Sequence, residues 1–126
     1  MSWDSYISVQ LVGTGDVKQA SILGLDGSVW ATSDGFNVSA PEAQAMIAGF
    51  DKASDLHAKG VHACGIKYLT LNVTPTTIYC KKGSTGLTIA KTGRAVVIGR
   101  YEDNMQPGKC NIAVEKLADY LKEQGY

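Results

Sequence analysis

The chain has 126 residues, of which 44% are hydrophobic and 19% are charged. This size and composition predict one domain, spanning residues 1–126, whose core forms without disulfide staples. Twelve Lys and Arg residues balance twelve Asp and Glu residues, so no overall field draws the chain toward nucleic acid or an acidic membrane. Any electrostatic site must therefore be a local patch.

The three cysteines predict a reducing compartment. Cys64, Cys80 and Cys110 are odd in number, widely spaced and outside any C-x-x-C motif, which favours free thiols over a disulfide framework. The sequence also lacks the apolar length of a membrane-spanning helix and the basic and apolar regions of a signal peptide. We therefore expect a cytoplasmic protein.

The N-terminal half predicts a helix, a hairpin and a second helix. Ser2 is a candidate N-cap for a helix that continues to about Val12 and ends at the glycines of LVGTGD. The runs QASILGL and SVWATS, joined by Asp-Gly, predict a β-hairpin. Ser39 and Glu42 form a capping-box pattern before a helix over residues 40–50, and a turn or short helix follows in ASDLHAKG.

The C-terminal half predicts a meander and a final helix. Four β-rich runs, IKYLTLNV, TTIYCKK, LTIAKT and AVVIGRY, are joined by connections too short for parallel pairing. AVVI is apolar throughout and predicts a central strand covered on both faces. The run NIAVEKLADYLKEQG has an apolar stripe at helical spacing: Ala113, Val114, Leu117, Ala118 and Leu121.

This order of elements predicts an α+β sandwich. One six-stranded, mainly antiparallel sheet would lie between helices. The N- and C-terminal helices would pack side by side on one face, and the shorter helices would cover the other.

No arrangement of catalytic or metal-binding residues stands out. His57 and His62 lie in a turn region and near a strand start, outside any metal-ligand spacing, and we interpret both as structural or solvent-exposed. GTGDVK follows a helix and lacks the third glycine of a dinucleotide fingerprint, and PGKCN lacks the spacing of a phosphate-binding loop. A nucleophile elbow is absent, and the carboxylates are scattered. We therefore expect no enzyme, no metal and no cofactor.

Two surfaces stand out, and the first is aromatic. Trp3 and Tyr6 share a face of the first helix. If the terminal helices are neighbours, five further residues complete a cluster: Trp30, Leu117, Tyr120, Leu121 and Tyr126. One interpretation is that these side chains pack the helices onto the sheet. The other is a groove for a polyproline II peptide, whose rings pack on aromatic faces and whose free carbonyls accept hydrogen bonds.

The second surface is basic. Residues 80–94 carry four cations that strand pairing would gather into one positive patch: Lys81, Lys82, Lys91 and Arg94. One interpretation is an ordinary solvated hairpin. The other is a binding site for an acidic partner, either a protein surface or a phosphoinositide headgroup.

Together these segments resemble profilin along the whole chain. SWDSYI, LDGSVWATS, YCKKGSTGLTIAKT, QPGKCN and VEKLADYLKEQGY occur in the order and at the spacing of that family. The compact length is most similar to amoeboid, fungal or plant members. The resemblance implies a non-enzymatic, monomeric regulator of actin polymerisation and nucleotide exchange in the cytoplasm and cytoskeleton.

The resemblance implies three ligands. Monomeric actin would bind the later strands and the start of the last helix, at Lys81, Lys82, Lys91, Gln106, Gly108, Asn111, Glu115 and Lys116. Proline-rich proteins such as formins would bind Trp3, Tyr6, Trp30, Leu117, Tyr120, Leu121 and Tyr126. Phosphatidylinositol bisphosphate at a membrane surface would compete at Lys81, Lys82, Lys91 and Arg94.

Two positions depart from animal profilins. Tyr120 and Gln106 stand where many animal members carry a histidine. Tyr120 keeps the aromatic face, so we expect proline binding with less pH sensitivity, whereas Gln106 bears on the strength of actin binding. An alternative function is a phosphoinositide-regulated adaptor for proline-rich proteins with negligible actin affinity, which actin pelleting or exchange assays would distinguish.

Overall fold

The computed structural model describes residues 2–126, whose strands form one seven-stranded antiparallel sheet between two helical layers. The strands are β1 (Gln19–Gly24), β2 (Val29–Thr32), β3 (Val61–Ala63), β4 (Ile66–Val73), β5 (Thr77–Lys82), β6 (Thr85–Lys91) and β7 (Ala95–Tyr101). Their order across the sheet is β2-β1-β7-β6-β5-β4-β3. The predicted α+β sandwich is confirmed, with one strand more than expected.

The N-terminal helix starts at its predicted cap and then changes geometry. Ser2 Oγ accepts a hydrogen bond from the Ser5 N–H at 3.2 Å. A Cβ on Gly13 would lie 2.3 Å from the carbonyl oxygen of Ser8, so only glycine allows this close return of the chain. The helix has three consecutive segments: α1 (Trp3–Ser5), a π-helical segment (Tyr6–Leu11) and a 3₁₀ turn (Val12–Thr14).

The remaining helices are α2 (Ala40–Gly49), α3 (Ala53–Lys59) and α4 (Pro107–Glu123). The predicted capping box of α2 is present: Ser39 Oγ accepts from the Glu42 N–H at 3.3 Å, and Glu42 Oε1 accepts from the Ser39 N–H at 3.0 Å. α4 begins at Pro107, four residues before the predicted run NIAVEKLADYLKEQG, because proline is tolerated in the first turn, where its missing N–H removes no helical bond.

The seventh strand arises from a hairpin that was not predicted. β3 pairs with residues 66–68 of β4. The turn residues between them, Cys64 and Gly65, have φ angles of 54° and 77°. Turns of this kind favour Asn-Gly or Gly-Gly, so the dipeptide Cys-Gly is only a weak sequence signal for a hairpin turn. Glu42 holds the turn by accepting hydrogen bonds from the N–H groups of Cys64 at 3.0 Å and Gly65 at 2.9 Å.

Replacing Glu42 with glutamine is expected to lower the free energy of unfolding by about 1–2 kcal/mol at neutral pH. Partial burial raises the pKa of this carboxyl, but hydrogen bonds from Ser39, Gly65 and Cys64 outweigh burial and hold the pKa below its ordinary value. Such a group stabilises the fold above its unfolded-state pKa, and this contribution is lost as the pH falls through the folded-state pKa.

Urea unfolding of both proteins between pH 7 and about pH 3 measures the effect of Glu42. The difference between wild type and the Glu42→Gln variant should shrink as the pH falls. Glu123→Gln, at an exposed position at the end of α4, is the matched control and should leave stability almost unchanged. A difference for Glu42→Gln that is independent of pH would contradict the proposed role of the carboxylate.

Two apolar clusters lie on opposite faces of the sheet. The N-terminal helix and α4 pack over Ile22 and Val97, which define the terminal-helix face. On the other face, the α2/α3 face, α2 and α3 pack over Leu23 and Ile98. Because neighbouring residues of a strand alternate between faces, β7 is buried on both sides, as its apolar run predicted.

Candidate ligand-binding surfaces

Five aromatic side chains meet at the seam between the N-terminal helix and α4. The ring centre of Trp3 lies 4.8 Å from that of Trp30 and 5.0 Å from that of Tyr126. Tyr6 is 5.5 Å from Trp3 and 6.1 Å from Tyr120. The pairs are tilted or edge-to-face, the arrangements that stabilise aromatic contacts. We call these five residues the aromatic cluster.

The cluster has an exposed surface and a buried base. Tyr120 is 40% exposed and Tyr126 is 39% exposed. Leu117 and Leu121 lie beneath the rings and are fully buried in the core. This is the position beneath the aromatic rings that was expected for both leucines, and their burial places them as supports of the cluster.

Hydrogen bonds to the main chain hold the end of α4 against the sheet. The main-chain oxygen of Tyr126 accepts from Thr92 Oγ1 at 2.8 Å and from the N–H of Arg94. The Tyr126 N–H donates to the carbonyl of Leu121 at 2.9 Å. The turn between β6 and β7 therefore fixes the position of the Tyr126 ring in the cluster.

Gly24 makes room for the indole of Trp30. A Cβ at Gly24 would lie 2.9 Å from Trp30 Nε1 and 2.8 Å from Asp26 Oδ1. Both distances are shorter than any ordinary contact of a carbon atom. Asp26 is itself fixed, because its Oδ1 accepts from Ser28 Oγ at 2.6 Å and from the Ser28 N–H at 3.0 Å. Since Ser28 Oγ is also 2.9 Å away, a side chain at Gly24 would press on the Trp30 ring and on the Asp26–Ser28 turn together.

We expect Gly24→Ala to move Trp30 and so to weaken binding of poly-L-proline about threefold to tenfold. The added methyl group should also strain the packing around Gly24 modestly. Calorimetric titration measures the affinity, and near-ultraviolet circular dichroism reports the ring position. Gly108→Ala is the matched control, since a Cβ there meets nothing within 4 Å. An unchanged affinity and spectrum for Gly24→Ala would show that the Trp30 position does not depend on this glycine.

The four predicted cations do not form one patch. Lys81 and Lys82 end β5, beside the turn into β6. Lys82 pairs with Thr85, and Lys91 lies six residues further along β6, next to the turn that carries Arg94. Six residues of β-strand span roughly 20 Å. The prediction of a single basic patch is wrong, because strand pairing aligns Lys82 with the start of β6 and not with its end.

The lysines also divide between the two faces of the sheet. Cys80 belongs to the core of the α2/α3 face, so Lys81 points to the terminal-helix face and Lys82 points away from it. Lys91 Nζ lies 5.7 Å from the ring centre of Phe50, also on the α2/α3 face. Among the three lysines, only Lys81 therefore shares a face with α4.

Beside Lys81, the terminal-helix face carries an exposed apolar surface. Leu69 pairs directly with Lys81 and is 60% exposed, and Ile112 of α4 is 67% exposed. Tyr79 of β5 reaches α4, because its hydroxyl donates to Glu115 Oε1 at 2.9 Å. We call Leu69, Tyr79, Lys81, Ile112 and Glu115 the β4–α4 surface.

The other predicted actin-binding residues lie along the first half of α4 and just before it. Gln106, Gly108 and Lys116 are exposed. Asn111 Oδ1 accepts a hydrogen bond from the buried hydroxyl of Thr88 on β6, which joins the helix start to the sheet. The structure thus brings six of the eight residues to one side and leaves Lys82 and Lys91 on the other.

A family model for profilin matches residues 1–126. The chain belongs to the profilin family. Profilin-1A of Acanthamoeba castellanii is 46% identical to it over 126 residues, which cover 100% of both chains. The crystal structure of Acanthamoeba castellanii profilin II has a TM-score of 0.96 at 44% identity and covers 99% of this chain and 100% of its own.

A more distant profilin shares the fold. Mouse profilin IIa, solved in complex with a double repeat from the FH1 domain of mDia1, has a TM-score of 0.83 at 22% identity, with 100% of both chains covered. Profilins are actin-binding regulators of polymerisation that also have proline-rich ligands. The family predicted from the sequence and its role as an actin-binding regulator are therefore confirmed, whereas nucleotide exchange and phosphoinositide binding stay predictions.

The exposed leucines of β4 in this profilin were not predicted from the sequence. Leu69 and Leu71 alternate with Tyr68 and Thr70, and the structure buries the tyrosine and the threonine. The buried Thr70 hydroxyl is satisfied, because it donates to the carbonyl of Leu56 at 2.7 Å. The period of two in IKYLTLNV does place both leucines on one face, but it does not say which face the sheet covers.

The remaining candidate groups of this profilin do not converge on one point. His57 and His62 are exposed. Burial raises the pKa of the Cys80 thiol to about 12 and that of Cys110 to about 11, so both stay protonated at neutral pH. Over residues 2–126, no group of three or more His, Cys, Asp or Glu residues is placed to hold a metal ion. In the same part of the chain, no helix has the length and apolar character needed to cross a bilayer.

Proposed function

We propose that this profilin binds its two protein ligands on separate surfaces, proline-rich segments at the aromatic cluster and monomeric actin at the β4–α4 surface. The observation that carries the proposal is the packing of Trp3 among the other rings, with Tyr120 and Tyr126 left partly exposed. The more deeply buried rings support these two, and together they offer a platform for a ligand.

The aromatic cluster fits a polyproline II segment. Proline rings pack flat on indole and phenol faces, and the segment loses little conformational entropy because it is already extended. Its carbonyls accept hydrogen bonds from indole N–H and phenol O–H groups. Burial and the neighbouring Tyr120 raise the pKa of Tyr6, so its hydroxyl remains a donor at neutral pH.

The β4–α4 surface fits a protein partner. Leu69 and Ile112 offer exposed apolar side chains, and Lys81 adds positive charge for an acidic partner. An interface of ordinary size buries roughly 1,600 Å² in total, so actin would also cover the start of α4. We propose that binding here regulates polymerisation of actin and speeds its nucleotide exchange.

The arrangement also supports simultaneous binding. The first half of α4 borders the β4–α4 surface, and its second half carries Tyr120. One molecule can therefore hold an actin monomer while a proline-rich protein, such as a formin, holds the profilin. Actin binding at the β4–α4 surface is the property that an adaptor with negligible actin affinity would lack.

Phosphatidylinositol bisphosphate is the third proposed ligand. The cations divide into the pair Lys81 and Lys82 and the pair of Lys91 and Arg94, which favours two weak sites over one strong site. A headgroup at Lys81 would compete with actin. We also propose that the protein acts by binding alone, as a single monomeric domain without a cofactor in the cytoplasm and cytoskeleton.

Titration with poly-L-proline, followed by tryptophan fluorescence, tests the aromatic cluster. Trp3 and Trp30 are the two indoles of the sequence, and both belong to the cluster. A saturable change that depends on the cluster would support proline binding. No change, together with no retention on a proline column, would mean that the aromatics only pack the helices. Actin nucleotide-exchange and pelleting assays then test the second surface independently.

A further inference from the structure

A groove of about 510 Å³ continues the seam beyond the aromatic cluster. The N-terminal helix contributes Gln10 to one wall, and α4 contributes Lys109, Ile112 and Lys116 to the other. Gln10 lies four residues after Tyr6. The groove therefore begins about one helical turn beyond the Tyr6–Tyr120 pair.

The chemistry of the groove is basic and apolar. Lys109 and Lys116 are exposed, and the described residues 2–126 place no carboxylate within 4.0 Å of either ammonium group. Asp16, on the opposite side, is the one acidic residue in the lining. The lining therefore carries two positive charges and one negative charge, beside the exposed Ile112 side chain.

We propose that this groove takes the residues that flank the proline run of the ligand and selects flanks that carry acidic side chains. The proposal rests on the function proposed for the aromatic cluster. The groove shares Leu117 with the buried base of that cluster, and its charge complements a carboxylate. An extended peptide that leaves the rings along the seam enters it directly.

The spacing sets which ligand residue each lysine reaches. Lys116 precedes Tyr120 by four residues, or about 6 Å along the helix axis, and Lys109 precedes it by eleven, or about 17 Å. A polyproline II chain advances about 3.1 Å per residue. Lys116 therefore faces the second residue beyond the ring stacked on Tyr120, and Lys109 faces the fifth or sixth.

Calorimetric titration of the full chain with synthetic peptides tests the proposal. Each peptide has ten prolines and a flank, at its N- or C-terminal end, with aspartates at its second and fifth positions. Matched peptides carry asparagine or lysine at those positions. With the flank at one of the two ends of the proline run, the aspartate peptide should bind about threefold to tenfold tighter than the asparagine peptide at low salt. This preference should decline at high salt.

Variants locate the preference. The double variant Lys109→Gln with Lys116→Gln should bring the ratio of aspartate to asparagine affinities close to one. Lys109→Gln alone should lower this ratio part of the way and leave binding of plain decaproline unchanged. Lys122→Gln, on the same helix but outside the groove, is the matched control and should keep the full ratio.

The outcomes separate this proposal from the one it rests on. If plain decaproline does not bind, the function of the aromatic cluster fails. If decaproline binds but the aspartate and asparagine peptides are equal at both ends, the groove proposal alone is overturned. It is also overturned if the lysine variants weaken actin binding while the peptide ratio stays unchanged, because the groove would then belong to the actin interface.

Discussion

Replacing Trp3 with alanine is expected to lower the affinity for poly-L-proline about 30-fold or more. The Trp3 ring contacts Tyr6, Trp30 and Tyr126, so its removal takes away a ligand-stacking face and loosens three others. Central aromatic residues of this kind contribute about 2 kcal/mol or more to binding, which corresponds to that loss. Calorimetric titration measures it directly, and actin affinity should stay unchanged.

The control for Trp3 lies on the same helix. Val9 is exposed and outside the aromatic cluster, so Val9→Ala should retain proline affinity. Thermal unfolding of both variants shows whether the Trp3 substitution also damages the fold. If Trp3→Ala lost proline and actin binding to the same extent, Trp3 would have a folding role and the model of two separate surfaces would fail.

Replacing Lys81 with glutamate is expected to weaken actin binding about tenfold, mainly through slower association. Lys81 lies on the terminal-helix face and pairs with the exposed Leu69. Lys82→Glu should have little effect, because Lys82 points to the opposite face of the sheet. Stopped-flow association and equilibrium titration with monomeric actin, at two salt concentrations, measure both variants.

This pair of variants is closely matched. Lys81 and Lys82 are neighbours, both are exposed, and both substitutions change the net charge by the same amount. A difference between them therefore reports the face of the sheet and not the overall charge. Equal weakening would indicate an interface that wraps around the end of β5, and no weakening in either variant would place actin elsewhere on the molecule.

Local sequence patterns predicted most of the elements. Ser39 and Glu42 marked the start of α2 through a capping box, whose two hydrogen bonds depend only on neighbouring residues. The Asp-Gly turn marked the first hairpin, and the apolar run of β7 marked an interior strand of the sheet. The aromatic cluster also follows from helical spacing, once the terminal helices are assumed to be neighbours.

Features set by distant residues could not be predicted in the same way. The turn at Cys64 and Gly65 is held by a carboxylate more than twenty residues earlier in the chain. The separation of Lys82 from Lys91 follows from strand register, which composition does not reveal. The π-helical segment is followed by the close approach of Gly13 to Ser8, and a helical pattern alone indicates only an ordinary helix.

Helix α4 sets the distance between the binding sites of the two proposed protein ligands. Ile112 and Tyr120 are eight residues apart on one continuous helix, which sets their separation at about 12 Å along the axis. A proline-rich chain docked at Tyr120 therefore tethers the actin monomer within a fixed, short reach. Tethering of this kind raises the effective concentration of actin near that chain to roughly the millimolar range, whatever the bulk concentration of free monomer.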